Sequence, residues 1–329
     1  MNYVNNPMLK IIREDWPGTP VDDRQRFVNL EFPFSPKLTE VFKWMISTNP
    51  QRKEKKEDKF RLMPVNDKSF LQHDDDCIIW LGHATFFIRL SGVSILIDPV
   101  FFDVPFLKRY SPHAFSPETF TDIDYLLISH DHQDHCQQKS ISHIVQQNPE
   151  MKILTGLNME GLLRPWCKTL SIQTAGWYQQ YDTNPDIKIC YMPSRHWSKR
   201  GFADENKRLW GGFVVQTKNK AIYFSGDSGY GNHFREAGEL FPGISVAIIG
   251  VGAYKPEWFM HPNHVSPSNA VKGFNEMQAR IFIPMHYGTF DISDEPVGEP
   301  LRLLDILQKE NKINGELKPL QPGENFTAF

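Results

Sequence analysis

Residues 125–135 read YLLISHDHQDH: an apolar run breaks directly into three histidines and two aspartates within six positions. A run that short and that apolar is a strand, and the cluster begins where the strand ends. Side chains alternate along extended backbone, so His130 and His132 point the same way. Asp134 and His135, opening the helical stretch that follows, can turn toward a neighbouring point, and Asp134 gains from the helix N-terminus. A solvated turn, an Asp-rich helix start and a chance cluster are the bland readings of this stretch. The rest of the chain must decide among them.

From residue 77 onward the chain alternates short β-rich runs with stretches of helical pattern. CIIWLGHATFFIRLSGVSILIDP reads as strands with a turn at Ser91-Gly92. DYLLIS, MKILTG, IKICYMP, GGFVVQT, AIYFSGD, VAIIGVG and ARIFIPMH follow, and helices are predicted over 137–147, 158–165, 232–240, 266–279 and 300–311. Interleaving of this kind indicates an α/β fold with helices covering sheet. Strands this apolar are expected to be buried on both faces.

Several of these strands end on a metal-binding side chain. DYLLIS leads to His130, His132, Asp134 and His135, IKICYMPSR to His196, AIYFSG to Asp227 and ARIFIPM to His286. Residues just past strand C-termini in an α/β sheet converge on one rim, where ligands bind. Five histidines and two carboxylates without cysteine suit zinc, with iron or manganese as alternatives. Seven donors exceed the needs of one ion and suit two, about 3.5–4 Å apart, sharing a carboxylate.

Bulk properties narrow the classes further. The 329 residues, 40% hydrophobic and 23% charged, describe an ordinary globular chain with a sizeable core. A formal charge of −3 gives no global attraction to nucleic acid, and no long basic exosite is evident. No apolar run approaches the roughly 20 residues of a membrane span, and MNYVNNPMLKIIREDWPG lacks a secretory leader's apolar core, so cytoplasmic residence is expected. Cys77, Cys136, Cys167 and Cys190 show no CxxC spacing, against a structural zinc knuckle. Residues 1–75 read as a partly irregular N-terminal extension and 76–329 as the catalytic domain. Within the extension, 37–61 carries eight Lys/Arg against four Asp/Glu, with Phe42, Trp44 and Met45 among them. That basic amphipathic segment suits an anionic membrane face or a place over the active site; docking of its aromatics on the body is the bland alternative.

The residues also carry a resemblance. H-x-H-x-D-H after a strand resembles the signature of the metallo-β-lactamase superfamily. WLGHATFFI, ILIDPVF, PSRHWSKRG, LWGGFVV, FSGDSGYG, GAYKPEWFM and MHYGTF, in that order from about residue 78 to 300, resemble its N-acylphosphatidylethanolamine phospholipase D-like branch. The resemblance implies an αββα sandwich of two mixed sheets flanked by helices. It implies one ion on His130, His132 and His196, a second on Asp134, His135 and His286, with Asp227 bridging both and a hydroxide between them as nucleophile. His83 and Asp98 would orient ligands, although Asp98 before Pro99 could equally be a turn residue. His264 in MHPNHVSP would, with Asp134, take part in catalysis, polarising the substrate phosphate or protonating the leaving group. From the residues themselves, Arg195 could meet a phosphate, while Tyr254 and Trp258 could line an apolar wall or sit in the core.

The expected activity is phosphodiester hydrolysis of phospholipase D type on N-acylphosphatidylethanolamine or a related phospholipid. The alternatives are a soluble lactonase or phosphodiesterase similar to the ascorbate-6-phosphate lactonase branch and, in another class, a non-catalytic metal-binding sensor. The expected partners are the phospholipid or a small phosphodiester or ester, with peripheral contact at the inner membrane face through 37–61, no nucleic acid, and a homodimer left open.

Overall fold

The computed structural model describes residues 2–33, 38–167 and 171–329, without the side chains of Leu38, Val41, Phe42 and Met45. The sequence reading at residue 37 and at the Phe42 and Met45 side chains therefore lies outside the described residues.

Two mixed sheets face each other. The first has seven strands in the order Ile172–Ala175, Lys152–Gly156, Tyr125–Ile128, Val93–Ile97, Thr85–Leu90, Cys77–Gly82 and Asn325–Phe326. Its first four strands run parallel and the rest antiparallel, turning at Ser91-Gly92, both residues at positive φ. The second has eight, Glu316–Leu317, Ile281–Met285, Val246–Gly250, Ala221–Phe224, Gly212–Gln216, Lys188–Met192, Gln179–Gln180 and Lys10–Ile11. Here too a parallel half adjoins an antiparallel one.

Period-two alternation explains the layering. Ile78, Trp80, Phe86 and Ile88 join the core shared with Phe213, Val215, Ile222 and Phe224 of the second sheet. Ile79, Phe87, Leu96 and Leu126 face the other way and pack under Ile141 and Ile144 of the helix Gln138–Gln147. Pro267–Met277 and Glu299–Lys309 bury Phe274 and Leu304 in the core on the second sheet's side. Both faces of both sheets are thus covered, which is why the strands read as continuous apolar runs. The architecture is the αββα sandwich expected. Helices lie at 138–147, 160–163, 233–240, 267–277 and 299–309, within a few residues of the predicted spans, and the Ser266 side chain caps 267–277 by accepting from the Asn269 amide.

Described residues near the N-terminus are knitted into this body. Lys10–Ile11 adds the edge strand beside Gln179–Gln180. Thr19 accepts from the Trp177 amide, and Gln179 bonds the Asn6 backbone in both directions.

Gly212 shows how tightly the second sheet is built. A Cβ there would lie 2.3 Å from the Phe224 carbonyl oxygen of the adjacent strand. Gly212→Ala is expected to lower stability by about 1–3 kcal/mol through overpacking, read as a lower Tm in thermal unfolding.

Candidate metal centre

The sandwich brings the predicted strand ends to one rim. Asp98 follows Val93–Ile97, and Ser129 to His135 follow Tyr125–Ile128; both belong to the first sheet. His196, Asp227 and His286 come off Lys188–Met192, Ala221–Phe224 and Ile281–Met285 of the second. His83, Asp98, Ala253 and His286 all adopt positive φ. Four non-glycine residues in that sparsely allowed region around one rim is the pattern of a functional site. The neighbouring chain comes close: a Cβ on Gly252 would sit 2.0 Å from the His286 carbonyl oxygen.

Two donor clusters result. His130 Nε2 lies 2.9 Å from His132 Nδ1, which is 3.1 Å from His196 Nε2. Asp227 Oδ2 closes this group at 3.9 Å from His130 and 3.7 Å from His196. In the second cluster Asp227 lies 3.2 Å from His135 Nε2 and 3.1 Å from His286 Nε2, while Asp134 Oδ2 stands 3.9 Å from each. Asp227 thus faces both groups.

Protons are assigned by the hydrogen bonds behind the rings. Ser129 Oγ donates to Asp98 Oδ2 at 2.5 Å, so its oxygen is left to accept from His130 Nδ1–H at 2.9 Å. His135 Nδ1–H donates to the same Asp98 oxygen at 2.8 Å, and the Ser129 amide to Oδ1 at 2.7 Å. His196 Nδ1–H donates to the Asn263 carbonyl at 3.2 Å. Each ring is held with its Nε2 lone pair toward the rim, the arrangement by which a protein pre-orients histidine ligands. Lone pairs crowded to about 3 Å need a proton or a cation between them. The buried His135 Nε2 and His286 Nε2 make no hydrogen bond of good geometry among the described residues, although Asp227 lies 3.2 and 3.1 Å away. Such orphaned nitrogens beside two carboxylates are the donors divalent metal ions take, so the residues present fit the ions the superfamily resemblance implies.

Charge supports the same reading. Burial would raise the carboxyl of Asp227, but His135, His286 and His264 hold it well below the usual range. Asp134 is likewise held low against burial, by His83 and His135. His135 is buried yet pushed well above the ordinary imidazole value by Asp227, Asp98 and Asp134. Without metal, a proton on His135 offsets the carboxylates.

The remaining predicted residues divide. His83 Nε2 is 2.9 Å from Asp134 Oδ2, and its ring stacks 3.9 Å from His286. His264 stands at the rim, Nδ1 3.9 Å from Asp227, and burial pushes its imidazole down to about 4, so it is neutral near pH 7. A cleft of about 360 Å³, partly open to solvent, rises from Asp134, Asp227, His264 and His286 between Trp44, Leu107, Trp197, Phe259, Met260 and Ile292. Arg195, Tyr254 and Trp258 are not among its lining residues. Arg195 donates to the Tyr230 carbonyl and lies over Phe32; the buried Tyr254 donates to Glu299; Trp258 is exposed and faces Lys43. Each is turned away by a local partner that periodicity does not reveal.

Sequence reasoning passed over Asp131, fully buried inside the histidine motif. It pairs with Arg208 at 2.7 Å and accepts from the Lys199 amide, tying the His130–His135 turn to the loop after His196. Its position between two histidines was the available signal. Asn263, acting through its backbone carbonyl, offered none.

Asp98→Asn removes the shared acceptor and is expected to weaken metal binding about 10–100-fold, measured by competition with a chromophoric chelator. Loading an ion must displace the His135 proton, so apparent affinity should tighten as pH rises from about 6 to about 8, by up to roughly tenfold per unit for each proton released. The same competition measures it; a pH-independent affinity would contradict the protonated His135.

Comparison with known proteins identifies the family and the fold. The beta-lactamase superfamily domain matches residues 94–287, more than half of the chain. The chain is 34% identical over 229 residues to N-acyl-phosphatidylethanolamine-hydrolyzing phospholipase D 1 of Caenorhabditis elegans, across 64% of this chain and 63% of that protein. It is 30% identical over 245 residues to the mitochondrial N-acyl-phosphatidylethanolamine-hydrolyzing phospholipase D of Saccharomyces cerevisiae, across 69% and 51%. The chain therefore spans about half to just under two thirds of the length of these relatives. Among solved structures, Igni18, a metallo hydrolase from Ignicoccus hospitalis, aligns with TM-score 0.60 at 19% identity over 76% of this chain and 97% of that one. CmlA, a diiron beta-hydroxylase from Streptomyces venezuelae, aligns with TM-score 0.59 at 17% identity over 78% and 54%. At these identities the two structures speak for the fold alone. With the sandwich, the rim and the domain match in agreement, the chain belongs to the beta-lactamase superfamily and has its metallo-hydrolase fold.

Proposed function

We propose that the protein is a dinuclear metal-dependent phosphodiesterase of phospholipase D type, acting on N-acylphosphatidylethanolamine or a related phospholipid. The observation that carries this reading is Asp227, within 4 Å of His130 and His196 on one side and of His135 and His286 on the other, at the foot of an apolar-walled cleft. His130, His132 and His196 would hold one ion and Asp134, His135 and His286 the other, with Asp227 common to both and zinc the first expectation. When bound, the ions supply Lewis-acid chemistry, acidifying water and neutralising charge on phosphate oxygens. Similarity to the two phospholipases supports the choice of a phosphodiester.

The protein's own residues have separate tasks. Asp98, through Ser129 and directly, keeps His130 and His135 in the ligating tautomer. Asn263 does so for His196. His264, neutral and beside Asp227, donates a hydrogen bond to a phosphoryl oxygen rather than carrying a standing charge. Trp44, Phe259 and Met260 keep the apolar part of the substrate from water. Water adds its hydroxyl to phosphorus, the bond from phosphorus to the ethanolamine oxygen breaks, and that oxygen takes the proton. The products are phosphatidic acid and N-acylethanolamine. Among the described residues no helix is long and apolar enough to cross a membrane. We place the chain in the cytoplasm, meeting the inner membrane face peripherally through the basic segment 37–61, whose helix Arg52–Glu57 has no buried residue.

The test is metal-loaded protein on vesicles containing N-acylphosphatidylethanolamine, beside a panel of lactones. Release of phosphatidic acid is expected, and lactone opening without loss of the phospholipid would overturn the phospholipase reading. Metal analysis should give about two ions per chain, and Asp227→Ala should reduce that occupancy and cut turnover by more than about 100-fold.

A further inference from the structure

The walls of the cleft come from two sources. His132, Asp134, Trp197, Asp227, His264 and His286 lie inside the matched superfamily segment 94–287, as do Leu107, Phe259 and Met260. Trp44 and Ile292 lie outside it, one on each side in sequence. Trp44 belongs to the helix Leu38–Ile46 of the N-terminal extension. Its ring stacks on Phe259 with centroids 5.5 Å apart, and its Nε1–H reaches Asp294 at 3.4 Å.

The segment that directly follows this helix is fastened to the body. Asn49 donates to the Asp294 carbonyl at 2.7 Å. Gln51 donates to Glu299 at 2.7 Å and accepts from Lys255 at 2.6 Å, and Lys255 pairs with Glu299 at 2.6 Å. Lys55 pairs with Asp291 at 2.5 Å and also donates to the Ser293 carbonyl. Asp58 accepts from the Gly298 amide and Arg302. Residues 49–58 thus clasp the 291–302 stretch. From that stretch the buried Glu295 accepts from the Ala253 and Lys255 amides, at the start of the loop that carries Phe259 and Met260. The clasp fixes Trp44, Ile292 and Phe259 relative to one another and to the metal rim.

We propose that Trp44 is the specificity-determining residue for the acyl chain of the substrate, forming a roof whose height above the metal rim is set by the clasp. An indole half-buried over an apolar cleft offers a large rigid surface to a hydrocarbon chain at low cost in side-chain entropy. The cleft is within the size range of small-molecule sites. The inference rests on the cleft being the substrate site proposed above, and it assigns the chain-length choice to a part of the protein the superfamily match does not include.

The experiment titrates full-length, metal-loaded protein with N-acylethanolamines of short, medium and long saturated chains, by calorimetry, independently of turnover. For the wild type, affinity should rise with chain length. In Trp44→Ala the dependence should flatten and the longest chain lose about tenfold in affinity. Trp258→Ala, altering the exposed neighbour outside the cleft, should keep the wild-type profile. Should Trp44→Ala fail to fold, Trp44→Phe serves: a chain brominated near its end should quench less tryptophan fluorescence than in the wild type. An unchanged chain-length profile in Trp44→Ala, equal quenching in Trp44→Phe, or no acyl-chain binding by the wild type would each overturn the proposal. Trp44-dependent binding without phospholipid hydrolysis would sink the phospholipase reading and leave this one standing.

Discussion

Asp98 is a carboxylate with no exposure to solvent, and its two oxygens take hydrogen bonds from the Ser129 amide, the Ser129 hydroxyl and His135. Burial of a carboxylate is costly unless its acceptors are filled, and here the filling groups all belong to the segment that presents the metal donors. The cost of burial is therefore offset only when the His130–His135 turn is in place. Burial still pushes the Asp98 carboxyl upward, against the pull of His135. A second buried carboxylate, Asp131, repeats the device with Arg208 on the far side of the turn. Between them the two aspartates fix one short loop from both ends, and the rim geometry follows.

Much of this was legible because strands covered on both faces must be apolar throughout, which makes their ends conspicuous. The abrupt change at Ser129, Asp227 and His286 is the sequence trace of a strand leaving the core for the rim. Helix spans were recovered to within a few residues because amphipathic periodicity and caps such as Ser266 are local. What was not legible depends on pairs far apart in sequence. Trp44 on Phe259, Asp131 on Arg208 and His196 on the Asn263 carbonyl leave no periodic signal at either partner. Arg195, Tyr254 and Trp258 were open between substrate contact and packing for the same reason, and Tyr230, Glu299 and Lys43 engage them away from the cleft lining. His264 does stand at the rim, and of the two roles its type suggests, polarising the phosphate or protonating the leaving group, burial of the imidazole favours the first.

The fold itself leaves chemistry open. A metallo hydrolase and a diiron hydroxylase both share this sandwich at similar TM-scores, so function resides in the donors, tautomers and walls built on the fold. The nitrogen-rich donor set fixes what ions can be held; the cleft fixes what can approach them. These two properties reside in different parts of the chain. The donors hang from the sheets, whereas one wall is delivered by a helix far upstream.

The donors also divide between the sheets: His130, His132, Asp134 and His135 from the first, His196, Asp227 and His286 from the second. A cation held by these proposed donors from both halves would act as a rivet. It can bind only when the halves are assembled, so occupancy and assembly are thermodynamically linked, and each decade of free metal above saturation adds about 1.4 kcal/mol per site to the resistance against unfolding. Cellular metal supply would then govern how long the folded chain persists as well as how fast it turns over.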